Sequence, residues 1–296
     1  MVVKNKILIT GSSGFIGKHL TLEFLHSKYQ IFAILRNKKK NKKSASILKK
    51  KYKNYHPIFI NKIEQIHKKL SKLKVDFVIN LATKWLYKHN FTEMIDLINS
   101  NILFTTAVLD SIPKNNLKKY INLSSYGLHK NSKEYDPINL YAATKKGFID
   151  ILKHYQNEFK NTSFYNLSIY DTYGPHDKRK KIISIILKNY ISGKATVLIS
   201  NKVELNLLNV KDVTNAVKIL LNKNIPSGNF LIKSNKFTNI MKLIKKINKK
   251  VDKKIKFKLL NKKTKKKINI KMKKLPFWKQ TSTIEKDLLN YINENN

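Results

Sequence analysis

Three groups of residues in this 296-residue chain have the types and spacing that do chemistry. The first is Thr10-Gly11-Ser12-Ser13-Gly14-Phe15-Ile16-Gly17. Glycines at this spacing make a tight turn (Gly11), let backbone approach a pyrophosphate (Gly14) and let a helix pack closely on a strand (Gly17). A helix opening at this point offers free N–H groups and a partial positive charge to an anion. The motif has meaning only with a strand before it and a helix after it. Both are predicted, the strand over 6–10 and the helix over 15–27, with Ile16, Leu20 and Phe24 on one face. Gly11, Ser13, Gly14, Phe15, Ile16 and Gly17 are therefore the expected dinucleotide contacts.

The second group ends the second predicted strand, at Leu35-Arg36-Asn37-Lys38. An acid at this point holds the ribose of NAD, whereas an arginine accommodates the 2′-phosphate of NADP. No acid is present, and Arg36 offers a planar fork for phosphate. NADP(H) is the expected cofactor, with NAD(H) held through backbone contacts as the alternative.

The third group is Ser125 with Tyr141-Ala-Ala-Thr-Lys145. Four residues apart on a helix, Tyr141 and Lys145 share a face. An ammonium nearby favours the phenolate, so a lowered tyrosine pKa is expected. Tyr141 is then a candidate acid/base near neutral pH. Ser125 follows the fifth predicted strand, at the edge where open α/β sheets bind ligands. Its hydroxyl is placed to hydrogen-bond a substrate oxygen. With 14 tyrosines and dozens of lysines the pair alone is weak; its place after a nucleotide loop gives it weight.

Short apolar runs alternating with helical patterns must position these groups. Strands are expected over 6–10, 30–35, 58–60, 76–81, 120–124 and 163–169, and long helices over 92–111 and 140–159. After Gly174-Pro175 the rhythm changes. Helices over 182–191, 212–221, 239–247 and 284–292 mix with strands over 195–199, 203–208 and 229–232. The fold class is α/β: a doubly wound parallel Rossmann sheet with a smaller interleaved C-terminal substrate lobe. Residues 1–169 and 204–235 are assigned to the dinucleotide domain, and 170–203 and 236–296 to the lobe.

Composition narrows the chemistry. There are no cysteines, so disulfides and thiolate nucleophiles are excluded. Paired metal-ligand spacing is absent among the eight histidines, although His129 and His176 fall in loops near the site. No apolar run approaches the roughly 20 residues of a membrane span, so a cytoplasmic protein without membrane insertion is expected. The formal net charge is +43, from 61 Lys plus Arg against 18 Asp plus Glu. Arg36 and Arg179 are the only arginines, and lysines spread along the whole chain. Readers of nucleic acid favour arginine in a defined stripe. Compositional drift therefore explains the charge better than a specific nucleic-acid partner does. The runs 38–43, 49–53 and 262–274 are expected on solvated faces and loops.

Taken together, the motifs resemble the NAD-dependent epimerase/dehydratase family, the extended short-chain dehydrogenases. Besides the glycine loop and Tyr141–Lys145, the resemblance runs through Val75–Thr83, Asn99-Ser-Asn101, Leu123-Ser-Ser125, Tyr170–Pro175, Leu207–Val213 and Leu275-Pro-Phe-Trp278. It implies cofactor contacts at Leu81, Ala82, Thr83, Asn101, Tyr141 and Lys145. It implies a nucleotide-sugar substrate and a homodimer formed through a four-helix bundle. Trp85, Ser125, Tyr126, Asp171 and Arg179 are the expected substrate-side residues. Within the family the chain looks most like the 4-keto reductases that make CDP-dideoxyhexoses. The 4,6-dehydratases follow the catalytic Thr with Asp-Glu, whereas Tyr126-Gly127 stand here. Two arginines that often hold the substrate diphosphate are replaced by Ser168 and Leu205, and an adenine-contacting acid by Asn61. Arg179 or a neighbouring lysine is the expected substitute. Reduction at C4 of a 4-keto-6-deoxy sugar nucleotide is the leading expectation. A C4 epimerase using the same three residues is the alternative, and a non-catalytic dinucleotide sensor is the alternative from another class.

Overall fold

A computed structural model describes residues 5–27, 29–130, 135–262 and 267–294. Aliphatic runs too short for helices form the strands β1 (Lys6–Thr10), β2 (Gln30–Arg36), β3 (Tyr55–Ile60), β4 (Phe77–Asn80), β5 (Lys119–Ser125), β6 (Ser163–Ile169) and a later strand over Gly228–Ile232. They make one seven-stranded sheet, ordered β3-β2-β1-β4-β5-β6 with Gly228–Ile232 at the edge, and every neighbouring pair is parallel. Strand order reverses between β1 and β4. Crevices open at such reversals, outside the carboxyl ends of the strands.

Helices cover both faces, because a parallel sheet buries both. One face packs Leu20, Phe24 and Leu25 of α1 (Phe15–His26), Ala45 of α2 (Lys39–Lys51) and Val213, Ala216 and Leu220 of a later helix over Val210–Asn222. The other packs Ile66 and Leu70 of α3 (Gln65–Leu70), Val108 and Leu109, and Phe148 and Leu152. The sequence pattern gave neither α2 nor α3. Lysines make up most of α2, so its apolar period is too sparse to read, yet lysine is a good helix former. Those lysines line a solvated helix face, as expected of the runs over 38–43 and 49–53. The expected helix over 92–111 is three pieces: α4 (Phe91–Ile98), a π turn (Asn99–Leu103) and α5 (Phe104–Ser111). Then comes α6 (Leu140–Glu158), capped by the Asn139 side chain, which accepts from the Ala142 N–H at 3.0 Å.

A further apolar core lies outside the seven-stranded sheet. It draws on β7 (Asp171–Tyr173), α7 (Ile182–Ile191), β8 (Thr196–Leu198), β9 (Glu204–Leu205), β10 (Leu207–Asn209), and the helices Ile240–Asn248 and Ile284–Asn293. The strand expected over 203–208 breaks at Asn206, whose side chain bonds Ser234 backbone twice at 2.8 Å. Asp212 docks the C-terminal segment by accepting from Thr281 N–H and hydroxyl and from Ser282 N–H, while the Trp278 indole N–H donates to its carbonyl at 3.0 Å. Among the described residues no helix is long and apolar enough to cross a membrane.

One feature crosses the sheet itself. Thr10 Oγ1 donates to Asn80 Oδ1 at 2.7 Å, Asn80 Nδ2 to Asn122 Oδ1 at 3.1 Å, Asn122 Nδ2 to Asn166 Oδ1 at 2.9 Å, and Asn166 Nδ2 to Asn229 Oδ1 at 2.9 Å. Each pair is directly opposite in the strand register. At its inner end, Thr10 Oγ1 accepts from the Leu81 and Ala82 N–H groups, both at 3.0 Å. The ladder thus fixes where the chain leaves β4.

Candidate active site

The glycine loop follows β1, at the point where strand order reverses. Gly11 has φ +68°, in the left-handed region, and a Cβ there would meet Ala82 and Leu81 backbone at 2.7–2.9 Å. A Cβ on Gly17 would lie 2.2 Å from the Gly11 carbonyl oxygen. Gly14 caps α1 without any side-chain hydrogen bond, and the first turn holds no acid. Its leading N–H groups remain available to an anion.

Opposite the loop, α6 begins at the carboxyl end of β5. Tyr141 is almost wholly buried, and its hydroxyl lies beside the side chains of Ser125 and Thr83. One helical turn on, Lys145 is buried at 4% exposure, and its Nζ donates to the Leu123 carbonyl at 3.0 Å. The Ser125 hydroxyl also accepts from the Gly127 N–H at 3.1 Å. Ser125, Tyr141 and Lys145 therefore come together as the spacing suggested.

The electrostatics differ from the expectation. Burial pushes the Tyr141 phenol up to about 12; the bonds from Ser125 and Thr83 pull it down, and the Asp171 carboxylate opposes its ionisation. Burial also lowers Lys145, to about 8. Desolvation of both groups outweighs the attraction that a Tyr–Lys pair suggests in sequence. Near neutrality the phenol carries its proton, ready to give.

Asn101 lies in the π turn at 1% exposure, and its amide is fully engaged. Oδ1 accepts from the Lys84 N–H at 2.7 Å and the Thr83 hydroxyl at 3.0 Å; Nδ2 donates to the Lys84 carbonyl at 3.0 Å and Thr144 Oγ1 at 2.9 Å. It acts on the site by holding Thr83. Breaking α-helical pitch brings this side chain round, a common use of π turns near functional sites.

The substrate-side residues form a second cluster. Tyr126 stacks on Tyr170 with centroids 4.5 Å apart, and its hydroxyl donates to Asp171 Oδ2 at 3.0 Å. Lys181 Nζ lies 2.7 Å from Asp171 Oδ1 and 4.5 Å above the ring of Trp85. The sequence offered Arg179 as a cation for a substrate diphosphate. Its fork is instead taken by Asp177, with Nε and Nη2 each 2.8 Å from a carboxylate oxygen, and Nη2 also reaches Thr172. The guanidinium stacks 4.1 Å over the Phe15 ring, tying this lobe to the glycine loop. Arg36 ends β2 with an exposed side chain. The sequence reading reached Lys181 only as an unspecified lysine beside Arg179, and Tyr170 only as part of the Tyr170–Pro175 motif. Lys181 stands in Lys178-Arg179-Lys180-Lys181, where nothing marks one lysine among many.

A dinucleotide fits these residues. Lys145 is a buried ammonium with a single hydrogen bond, so two donors point to a partner outside the protein. Gly11, Gly14 and Gly17 keep the loop tight against its own turn and the backbone after β4, where a Cβ would meet backbone atoms, so the N–H groups opening α1 stay uncovered by side chains. The model of the NAD dependent epimerase/dehydratase family matches residues 7–232. The chain belongs to that family. Members are NAD-dependent enzymes of the extended short-chain dehydrogenase type. The CDP-abequose synthase of Salmonella muenchen is 26% identical over 249 residues, 82% of this chain and 81% of that protein. The dTDP-D-glucose 4,6-dehydratase of Dictyostelium discoideum is 28% identical over 242 residues, 74% of this chain and 56% of that protein. Among solved structures, a UDP-glucuronic acid 4-epimerase from Bacillus cereus bound to a UDP sugar and NAD has a TM-score of 0.79 at 20% identity, covering 98% of this chain and 99% of that one.

Proposed function

We propose that this family member is an NADPH-dependent reductase of a 4-keto-6-deoxy sugar nucleotide. The observation that carries the reading is the buried Tyr141 hydroxyl beside Ser125, one turn from a buried Lys145. Nicotinamide, when bound, supplies the hydride. Tyr141 gives its proton to the C4 oxygen as charge develops there. Ser125 donates to the same oxygen, so donors are aimed where charge forms. Lys145 holds the ribose hydroxyls with its two unused donors and keeps a positive charge beneath the phenol. Thr83, fixed by Asn101, orients the phenol. The relatives named CDP-abequose synthase support the reductase reading. A C4 epimerase would use the same triad but hold NAD without net consumption. The exposed Phe91, Ile95 and Leu103 along α4 and the π turn suit pairing of two copies.

The deciding experiment follows NADPH absorbance with a panel of 4-keto sugar nucleotides and identifies the product. Consumption with one stereoisomer of alcohol formed supports the reading; cofactor that copurifies and is never consumed turns it to the epimerase.

Two further outcomes are expected. Arg36 supplies the fork for the 2′-phosphate, so Arg36→Ala raises the Michaelis constant for NADPH about tenfold or more and leaves that for NADH nearly unchanged, as loss of one charge-assisted contact predicts. A wild-type preference of tenfold for NADH refutes the assignment. The second outcome concerns pH. The cationic form of Lys145 prevails below its lowered value of about 8. The profile of kcat/KM for NADPH reports the free enzyme. It stays level through neutrality and then falls as pH rises past that value. Lys145→Met lies low throughout and lacks the limb.

A further inference from the structure

The turn that opens α1 meets the segment leading out of β7 at three points. Phe15 is the first residue of α1, directly after Gly14. The Arg179 guanidinium lies 4.1 Å from the centre of its ring. A Cβ on Gly174 would come within 3.3 Å of the same ring, so bare backbone packs against it. One turn along α1, His19 meets the Phe15 ring edge-on at 5.2 Å, and its Nε2 lies 3.2 Å from the Pro175 carbonyl oxygen.

Arg179 also braces its own segment. Nη2 donates to the Thr172 carbonyl at 2.7 Å and to its hydroxyl at 3.0 Å, next to Asp171. Nε and Nη2 grip Asp177, whose side chain is only 4% exposed. The Arg179 carbonyl accepts from the Lys181 N–H at 2.8 Å. One residue thus ties down the neighbours of Asp171 and Lys181, the pair that faces Tyr126 and Trp85. A guanidinium can stack on an aromatic face while its in-plane N–H groups stay free for other partners. An ammonium has no such plane. In a chain that uses lysine for nearly every cation, one of its two arginines stands here.

We propose that Arg179 is a positioning residue that couples dinucleotide binding to the segment over 171–181 through the Phe15 ring. A pyrophosphate on the N–H groups that open α1 orders the backbone that carries Phe15. The guanidinium stacked on that ring is ordered with it, and so are the residues that Arg179 braces. Order already imposed by one ligand does not have to be imposed by the next, which links two sites without a new contact. This role needs a dinucleotide on the loop and does not depend on the reductase chemistry.

Hydrogen–deuterium exchange of the full chain, read by mass spectrometry, tests it without turnover. NADPH and NADH are added in separate arms. In wild type the cofactor that slows exchange over 11–20 also slows it over 171–181, by about fivefold or more, the lower end of ordinary coupling between sites. Phe15→Leu keeps the Arg179–Asp177 pair and removes the aromatic face. It retains the slowing over 11–20 and loses most of that over 171–181. Arg179→Gln gives the same split, and exchange over 171–181 is already faster before cofactor is added, because Thr172 and Asp177 lose their partner. Equal slowing over 171–181 in wild type and Phe15→Leu overturns the coupling. Slowing confined to 11–20 in wild type overturns it too, as does no slowing in either segment with either cofactor. A Phe15→Leu protein that loses the slowing over 11–20 as well overturns it, since the ring then serves the cofactor directly. The reductase reading stands or falls separately, on consumption of NADPH.

Discussion

Tyr141→Phe is expected to lower turnover by roughly 10²–10⁴-fold, the usual contribution of a general acid. The substitution removes one oxygen and keeps the ring, which packs in a buried position at the head of α6. Cofactor affinity should therefore hold while kcat collapses, and KM should change little. Removing the hydroxyl also frees Ser125 and Thr83 from their shared partner. Ser125 keeps its bond from Gly127, and Thr83 keeps its bond to Asn101, so the walls of the site stay in place. Ser125→Ala, which removes one donor to the developing charge and leaves the acid, should cost about 10²–10³-fold in kcat. Measuring single-turnover NADPH oxidation with the accepted keto sugar separates these effects from product release. An unchanged rate in Tyr141→Phe eliminates the role given to the phenol, whatever the fold.

Much of this site was legible in sequence because its parts are local. A loop of eight residues contains all the glycines that shape the cradle, and a single helical turn joins Tyr141 to Lys145. Where position alone decided, the reading held, as in the parallel sheet with helices on both faces and the meeting of Ser125 with Tyr141. It failed where solvation decided. The phenol rises because the site excludes water, a property of the folded packing that no spacing reveals. It failed again where one residue chose among partners. Arg179 looked free until Asp177, two residues away, took its fork. Lysine abundance hid the rest: α2 lacked a readable apolar period, and Lys181 differed from its neighbours only in having Trp85 and Asp171 beside it.

The asparagine ladder was also invisible, since its successive members are 42 to 70 residues apart and only register aligns them. It should dominate stability. Asn122 sits at its middle, wholly buried, giving to Asn166 and taking from Asn80. Asn122→Ala strands the Asn80 amide and the Asn166 carbonyl with no water to replace the lost partner. At about 1–3 kcal/mol for each unsatisfied buried group, the loss is about 2–6 kcal/mol, a large part of the roughly 5–15 kcal/mol that holds a domain. Asn229 ends the ladder with an exposed side chain, so water can take its place beside Asn166. Asn229→Ala should then cost less than about 1 kcal/mol, the range of an ordinary net hydrogen bond. Urea titrations check both: the midpoint falls far for Asn122→Ala and little for Asn229→Ala, with unchanged slope in each. A larger shift for Asn122→Ala bears out the burial argument, and equal shifts overturn it. Through Thr10 the ladder sets the backbone of Leu81 and Ala82, so Asn122→Ala should weaken cofactor binding from a distance, on the far side of the strand that leads to Thr83.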